Sequence, residues 1–185
     1  MSKEFKSGNL TLIAGLGNPG NEYERTYHNV GWQALGELAG DAAFTTPRGK
    51  PFSYVRLGNG VTLVKPLTFM NESGSGVRAA MRFMKTSGTR GILLIHDDSD
   101  LLVGTWKLQF GRGAAGHNGV ASVIGALKTK DIWRVRIGIR PPLLVQGKPR
   151  KKAGEFVLKK ITAADAQQLT RVYREIKEAL APSTE

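Results

Sequence analysis

Cysteine is absent from these 185 residues, which excludes a disulfide framework, a thiolate zinc site and a cysteine nucleophile. Acidic side chains are scarce: 15 Asp and Glu face 27 Lys and Arg, giving a formal net charge of +12 and a sequence pI near 10.2. No apolar run approaches the ~20 residues that span a bilayer, and 41% hydrophobic with 23% charged residues is the composition of an ordinary soluble globule. The N-terminus, MSKEFKSGNLTLIAG, has neither a signal-peptide core nor a small-residue cleavage site, so a cytoplasmic protein is expected, without export or a transit peptide. Internal repeats and low-complexity tracts are also missing.

What is present in excess is base, and the excess is concentrated. Residues 128–160 hold eleven Lys and Arg against two acids, Asp131 and Glu155, and so carry +9 of the total. Scattered charge would only keep a globule soluble, whereas charge packed into one stretch implies a polyanionic partner such as a phosphate backbone. Within that stretch residues 143–152, rich in Pro, Gly and base, read as a mobile loop.

Hydrophobic periodicity sets the architecture. Leu10 to Leu16 is a short apolar, β-leaning run that stops in the turn Gly17-Asn18-Pro19-Gly20. Val30, Trp32, Leu35 and Leu38 follow at helical spacing and end at Gly40. Phe52 to Leu57 and Val61 to Val64 form a hairpin through Gly58-Asn59-Gly60, and Val77, Ala80, Met81 and Met84 mark a second helix. Ile92 to Ile95 is the continuous apolar run of a strand buried on both faces, delivering His96-Asp97-Asp98 at its C-terminal end. Trp106 to Phe110 and Trp133 to Ile139 alternate as strands around a small helix near Val120 to Leu127, and residues 163–181 form a last amphipathic helix. The order βαββαββαβα predicts a single α/β domain over residues 1–185, with a mixed, largely parallel sheet and helices on both faces.

Gly15-Leu-Gly17-Asn-Pro-Gly20 fits the dinucleotide-binding spacing, but the helix starts too late to hold a pyrophosphate on its N-terminus, and Glu37 lies inside a helix rather than at a strand end. More telling is His28, in a polar loop, with Asp97 at the end of the buried strand. Both fall at the C-terminal edge of a sheet, where a carboxylate-oriented His can activate water. No nucleophile-elbow serine is present, so direct attack by water is the economical route. Asn18, Asn71 and Asn118 lie in glycine-rich turns; singly each is a turn residue, and together they are neutral donors and acceptors for an ester or peptide group. His96, Asp97, Asp98 and Asp100 with His117 offer hard-metal ligands, but their spacing matches no zinc or calcium motif, so no metal and no other cofactor is expected.

Six ordered segments carry a resemblance. Gly17-Asn-Pro-Gly20, Tyr23 with His28-Asn29-x-Gly31, Lys65-Pro-Leu-Thr-Phe-Met-Asn71-x-Ser-Gly74, His96-Asp97-Asp98-x-Asp100, Gly116-His-Asn-Gly119 and Arg136-Ile-Gly-Ile-x-Pro141 resemble the signatures of bacterial-type peptidyl-tRNA hydrolases. The resemblance implies hydrolysis of the ester joining a peptide to the 3′ ribose of tRNA, as in ribosome rescue, by a metal-free monomer acting on the acceptor stem and 3′ end. It makes His28 the base, Asp97 its partner, and Asn18, Asn71 and Asn118 the positioning set. It further implies that Tyr23, Phe69 and Met70 line the cleft, and that Lys107 and Arg136 lie near tRNA phosphates.

The chain departs from the family pattern around these positions. Tyr27 stands where Arg is common, Gln109 where a basic residue is usual, Leu102-Val103 where Pro-Pro is usual, and Ala114-Ala115 in a loop that is otherwise glycine-rich. Side chains in that loop restrict it or narrow the cleft entrance. The departures leave a second reading, a catalytically silent relative that binds RNA and a protein partner, similar to plant organellar RNA-processing relatives.

Overall fold

In the computed structural model, which describes residues 4–86, 88–141, 154 and 156–181, strands and helices alternate in the expected order. The strands are β1 (Leu12–Gly15), β2 (Phe52–Arg56), β3 (Thr62–Pro66), β4 (Ile92–Leu102), β5 (Trp106–Phe110) and β6 (Trp133–Arg140). The helices are α1 (Val30–Ala39), α2 (Ser73–Phe83), α3 (Asn118–Leu127) and α4 (Ala163–Leu180). One six-stranded sheet runs β2-β3-β1-β4-β6-β5. Its four inner strands are parallel, and β2 and β5 are antiparallel edges. The basic stretch 143–152 lies outside the described residues, among which no helix is long and apolar enough to cross a membrane.

Both faces of the sheet are covered, which is why the inner strands are apolar without alternation. Ile13, Leu63, Leu93 and Ile95 enter one core with α1 and α4, while Leu12, Val64, Ile92 and Leu94 enter the other with α2 and α3. The sequence placed the end of β4 at Ile95, yet the strand continues to Leu102. His96, Asp97 and Asp98 pair in register with Arg136, Ile137 and Gly138 of β6, with a bulge before Leu102. Ladder bonding to β6 carries polar residues into the sheet where an apolar pattern cannot announce them.

One close approach aims α1 at the site. A Cβ on Gly31 would stand 2.5 Å from the carbonyl oxygens of Leu16 and Ile95. Only glycine lets the first turn of α1 lie against the ends of β1 and β4, and that contact brings His28, just ahead of α1, onto β4.

Candidate active site

The backbone of His28 is held from the C-terminal side of the chain. Its N–H donates to Val157 O at 2.8 Å, Tyr27 N–H donates to Lys159 O at 3.2 Å, and Thr26 bridges Lys160. The Tyr27 hydroxyl donates to the buried carboxylate of Asp165 in the first turn of α4. Tyr27 therefore ties the segment that carries His28 to the last helix through its phenol.

Asp97 is 2% exposed, and a single oxygen, Oδ1, faces two imidazoles: His28 Nδ1 at 2.9 Å and His117 Nε2 at 2.8 Å. His117 is the N-cap of α3, and its Nδ1 accepts from the N–H groups of Gly119 (3.1 Å) and Val120 (3.2 Å). A nitrogen that accepts carries no proton, so the His117 proton sits on Nε2 and points at Asp97. Oδ1 likewise takes the Nδ1–H of His28, which leaves the His28 lone pair on Nε2. Burial alone would raise the Asp97 pKa, but the imidazoles of His117 and His28 outweigh it and hold the carboxyl well below the usual carboxylate range. Below this trio His96 is buried and kept neutral, chiefly by desolvation and then by His117; its Nδ1 bonds Asp97 O at 2.7 Å, and its ring stands edge-on to that of His117.

His28, Asp97 and His117 hold ligand atoms within 4.8 Å of one another, close enough for a metal ion. The facing atoms are engaged with one another instead. Of the candidate ligand atoms, the two imidazole nitrogens facing Asp97 carry protons, and Asp97 Oδ1 is already doubly bonded by them. The trio shares Asp97 and His117 with the grouping of His96, Asp97, Asp98, Asp100 and His117 weighed from the sequence, adds His28, and leaves out His96, Asp98 and Asp100.

A cleft of about 560 Å³ opens over the trio, lined by His28, Asp97, Asn118, Arg136 and the loop Arg112 to Gly116. Asn18, Asn71, Tyr23, Phe69 and Met70 are not among its lining residues, though contacts join Asn18 to Met70 and Tyr23 to Phe69. Asn18 Oδ1 accepts from Met70 N–H at 2.7 Å, and Asn29 brackets the Asn18 backbone with two bonds of 2.9 Å. With its oxygen so engaged, Asn18 presents the amide nitrogen as its remaining polar end. Tyr23 and Phe69 meet edge to face at 6.3 Å, and Asn71 and Asn118 are exposed at the starts of the α2 and α3 regions.

The basic residues are less open than their count suggested. Arg136 donates from Nε to Asp98 at 2.6 Å and from a terminal nitrogen to Gln109 at 2.8 Å. Arg134 is 2% exposed and donates to the carbonyls of Arg112 and Gly113, fixing the cleft loop. Burial first, and Arg136 next, lower its pKa. Lys107, opposite Arg136 on β5, is exposed.

The sequence reading missed His117 as a partner of Asp97 and Arg134 as the loop's anchor. The place of His117 directly before a helical run marks a cap of α3 and does not signal the bond to Asp97, and Arg134 gave no signal.

A family model described as peptidyl-tRNA hydrolase matches residues 12–185. The chain belongs to the peptidyl-tRNA hydrolase family. It is 37% identical over 181 residues to the peptidyl-tRNA hydrolase of Prochlorococcus marinus, covering 95% of this chain and 88% of the relative. It is 41% identical over 175 residues to that of Nocardia farcinica, covering 91% and 87%. The crystal structure of peptidyl-tRNA hydrolase from Acinetobacter baumannii superposes with a TM-score of 0.80 at 28% identity, over 96% of this chain and 89% of that one.

Proposed function

We infer that this chain hydrolyses the ester of peptidyl-tRNA, releasing tRNA and free peptide, through a water activated by His28 and without a metal. The observation that carries this reading is the double use of Asp97 Oδ1, which leaves Nε2 of His28 as a lone pair facing a cleft. Water attacks the ester carbonyl carbon and gives its proton to His28 Nε2. The carbonyl becomes an oxyanion, for which the side-chain amides of Asn71 and Asn118 are the available donors. When the bond to the ribose 3′ oxygen breaks, the same proton passes from Nε2 to that oxygen. Asp97 stays ionised throughout and stabilises the imidazolium.

Asn18 positions the substrate from its locked amide, Tyr23, Phe69 and Met70 line the path of the peptide and terminal adenosine, and Lys107 and Arg136 meet acceptor-stem phosphates. Phosphate contacts position without specifying, so many tRNAs are accepted. The enzyme acts as a monomer in the cytoplasm. The relatives named above are all hydrolases and give the non-catalytic reading no support.

Release of N-blocked aminoacyl groups from bulk tRNA, in EDTA and with His28→Ala alongside, tests the reading. Turnover that survives EDTA and vanishes in the variant is expected. Loss of turnover on chelation would overturn the metal-free mechanism, and equal turnover by the variant would overturn the role of His28.

A further inference from the structure

A second cavity, of about 460 Å³, lies at the end of the sheet away from His28, between the N-terminal segment, the start of β4 and the β5–β6 edge. Two kinds of group line it. Trp133 and Phe110, register partners on β6 and β5, stand with ring centroids 5.0 Å apart, and Phe5 backs Trp133 edge-on at 5.0 Å. Around these rings are Lys6, Arg90 and Asn9, all exposed, with Glu4 as the one acid among the described lining residues. Glu4 and Lys6 approach only to 4.0 Å, both largely in solvent, and Arg90 forms no ion pair among the described residues. Lys128 and Lys130, exposed on the turn leading into Trp133, add cations at the same end, opposed by Asp131.

We propose that this cavity binds a nucleotide unit, its base against the Trp133–Phe110 wall and its phosphate on Lys6 and Arg90, and that the nucleotide belongs to the body of the tRNA whose 3′ end lies at His28. An aromatic wall ringed by cations is the chemistry that single nucleotides and unstacked RNA bases meet in proteins. The volume falls in the range of ligand sites, about 300–1,000 Å³. Strand β5 borders both sites: Gln109 lines the cleft, and its neighbour Phe110 lines the cavity. Exposed Lys107 lies on the same strand. An RNA held by its reactive end in the cleft reaches the cavity past this one strand. The proposal rests on the reading of the substrate as a tRNA.

The test uses the double variant Lys6→Ala/Arg90→Ala, which touches neither the trio nor its cleft. Binding of deacylated bulk tRNA is measured against salt, with AMP as the free-nucleotide probe and the Trp133 indole N–H followed by NMR. Hydrolysis is compared on N-blocked aminoacyl-tRNA and on an N-blocked aminoacyl-CCA fragment. The expected result is roughly tenfold weaker tRNA binding in the variant, with the slope of log Kd against log salt shallower by about 2, one per lost phosphate contact. kcat stays unchanged, the fragment is hydrolysed as by the parent, and the Trp133 signal moves on adding tRNA. Equal tRNA affinity and slope in parent and variant would overturn the proposal. A Trp133 shift with AMP but none with tRNA would overturn it in favour of a free nucleotide. Failure of the parent to hydrolyse either ester would strike at the catalytic reading alone, since the tRNA-binding arm is read independently.

Discussion

Oδ1 of Asp97 stands 2.9 Å from His28 Nδ1 and 2.8 Å from His117 Nε2, so a base on the loop before α1 and a cap at the start of α3 share one carboxylate oxygen. The cap fixes the tautomer of His117, His117 donates to Asp97, and Asp97 fixes the tautomer of His28. A helix N-terminus is thereby coupled to the lone pair that takes the proton from water.

His117→Ala removes a cap and a donor together. Loss of an N-cap costs about 1 kcal/mol, and reducing Asp97 to one donor adds about 1–3 kcal/mol. Urea unfolding should move to a lower midpoint at unchanged slope. His28 keeps its own bond to Asp97, so hydrolysis falls by less than in His28→Ala, a ranking that kcat for the two variants checks.

Asp97→Asn is the more damaging change for chemistry. An Asn side chain offers one acceptor and one NH2 where the native oxygen receives two N–H groups, so one imidazole must turn or change tautomer. A drop of about 10²–10⁴ in kcat is expected, the usual contribution of a well-placed general base, with KM little altered. A variant retaining more than a tenth of parental kcat would show that the tautomer of His28 does not depend on Asp97.

His96 gives the fold a pH dependence of its own. Burial, then His117, hold its folded-state pKa well below the ordinary value, so below about pH 6.5 the unfolded chain binds a proton that the folded one does not. Stability from this group is complete above that pH and falls as pH drops, by about 1.4 kcal/mol per unit. His96→Phe preserves the edge-on contact with His117 and removes the titration. Its unfolding free energy between pH 6.5 and 5 should fall less steeply than the parent's by that amount, as chemical denaturation at several pH values will read.

Much of this molecule is legible in its sequence, and the rest fails for identifiable reasons. The bounds of α4 follow from an amphipathic stripe over Ala163 to Leu180 alone. β4 was cut short because His96-Asp97-Asp98 is polar, and only β6 alongside makes it a strand. His28 and Asp97 were recoverable as a pair because one lies in a polar loop and the other follows the buried apolar run Ile92 to Ile95. The bond from His117 to Asp97 is a tertiary fact joining α3 to β4, and no spacing encodes it. Likewise the sum of charge over residues 128–160 could not reveal that Arg134 is buried and Arg136 paired with Asp98.

Tyr27→Phe tests the tie between the base and α4. The phenol donates to Asp165, which is 8% exposed and whose own N–H is capped by Thr162 Oγ1. Deleting the hydroxyl leaves a nearly buried carboxylate short of a donor, a cost of about 1–3 kcal/mol. Since His28 N–H keeps its bond to Val157 O, kcat at 25 °C should stay near the parental value while the urea midpoint falls.

Arg134→Met separates stability from cleft order. Arg134 is nearly buried; among the described residues it forms no ion pair and bonds only the carbonyls of Arg112 and Gly113, with Nε unbonded. Removing such a cation relieves its desolvation, and the two carbonyls, on exposed residues, can turn to water. The net change in unfolding free energy should stay within about 1 kcal/mol, because these terms oppose. The loop loses its anchor, however. It already carries Ala115 at φ 49°, a left-handed conformation that costs a non-glycine residue about 1–2 kcal/mol and persists only where its surroundings impose it. Once released, the loop should sample other conformations over the cleft, raising KM for N-blocked aminoacyl-tRNA more than it lowers kcat. A variant with parental KM would show that the loop is held by its own turns, and a loss of stability above 3 kcal/mol would show that Arg134 serves the core.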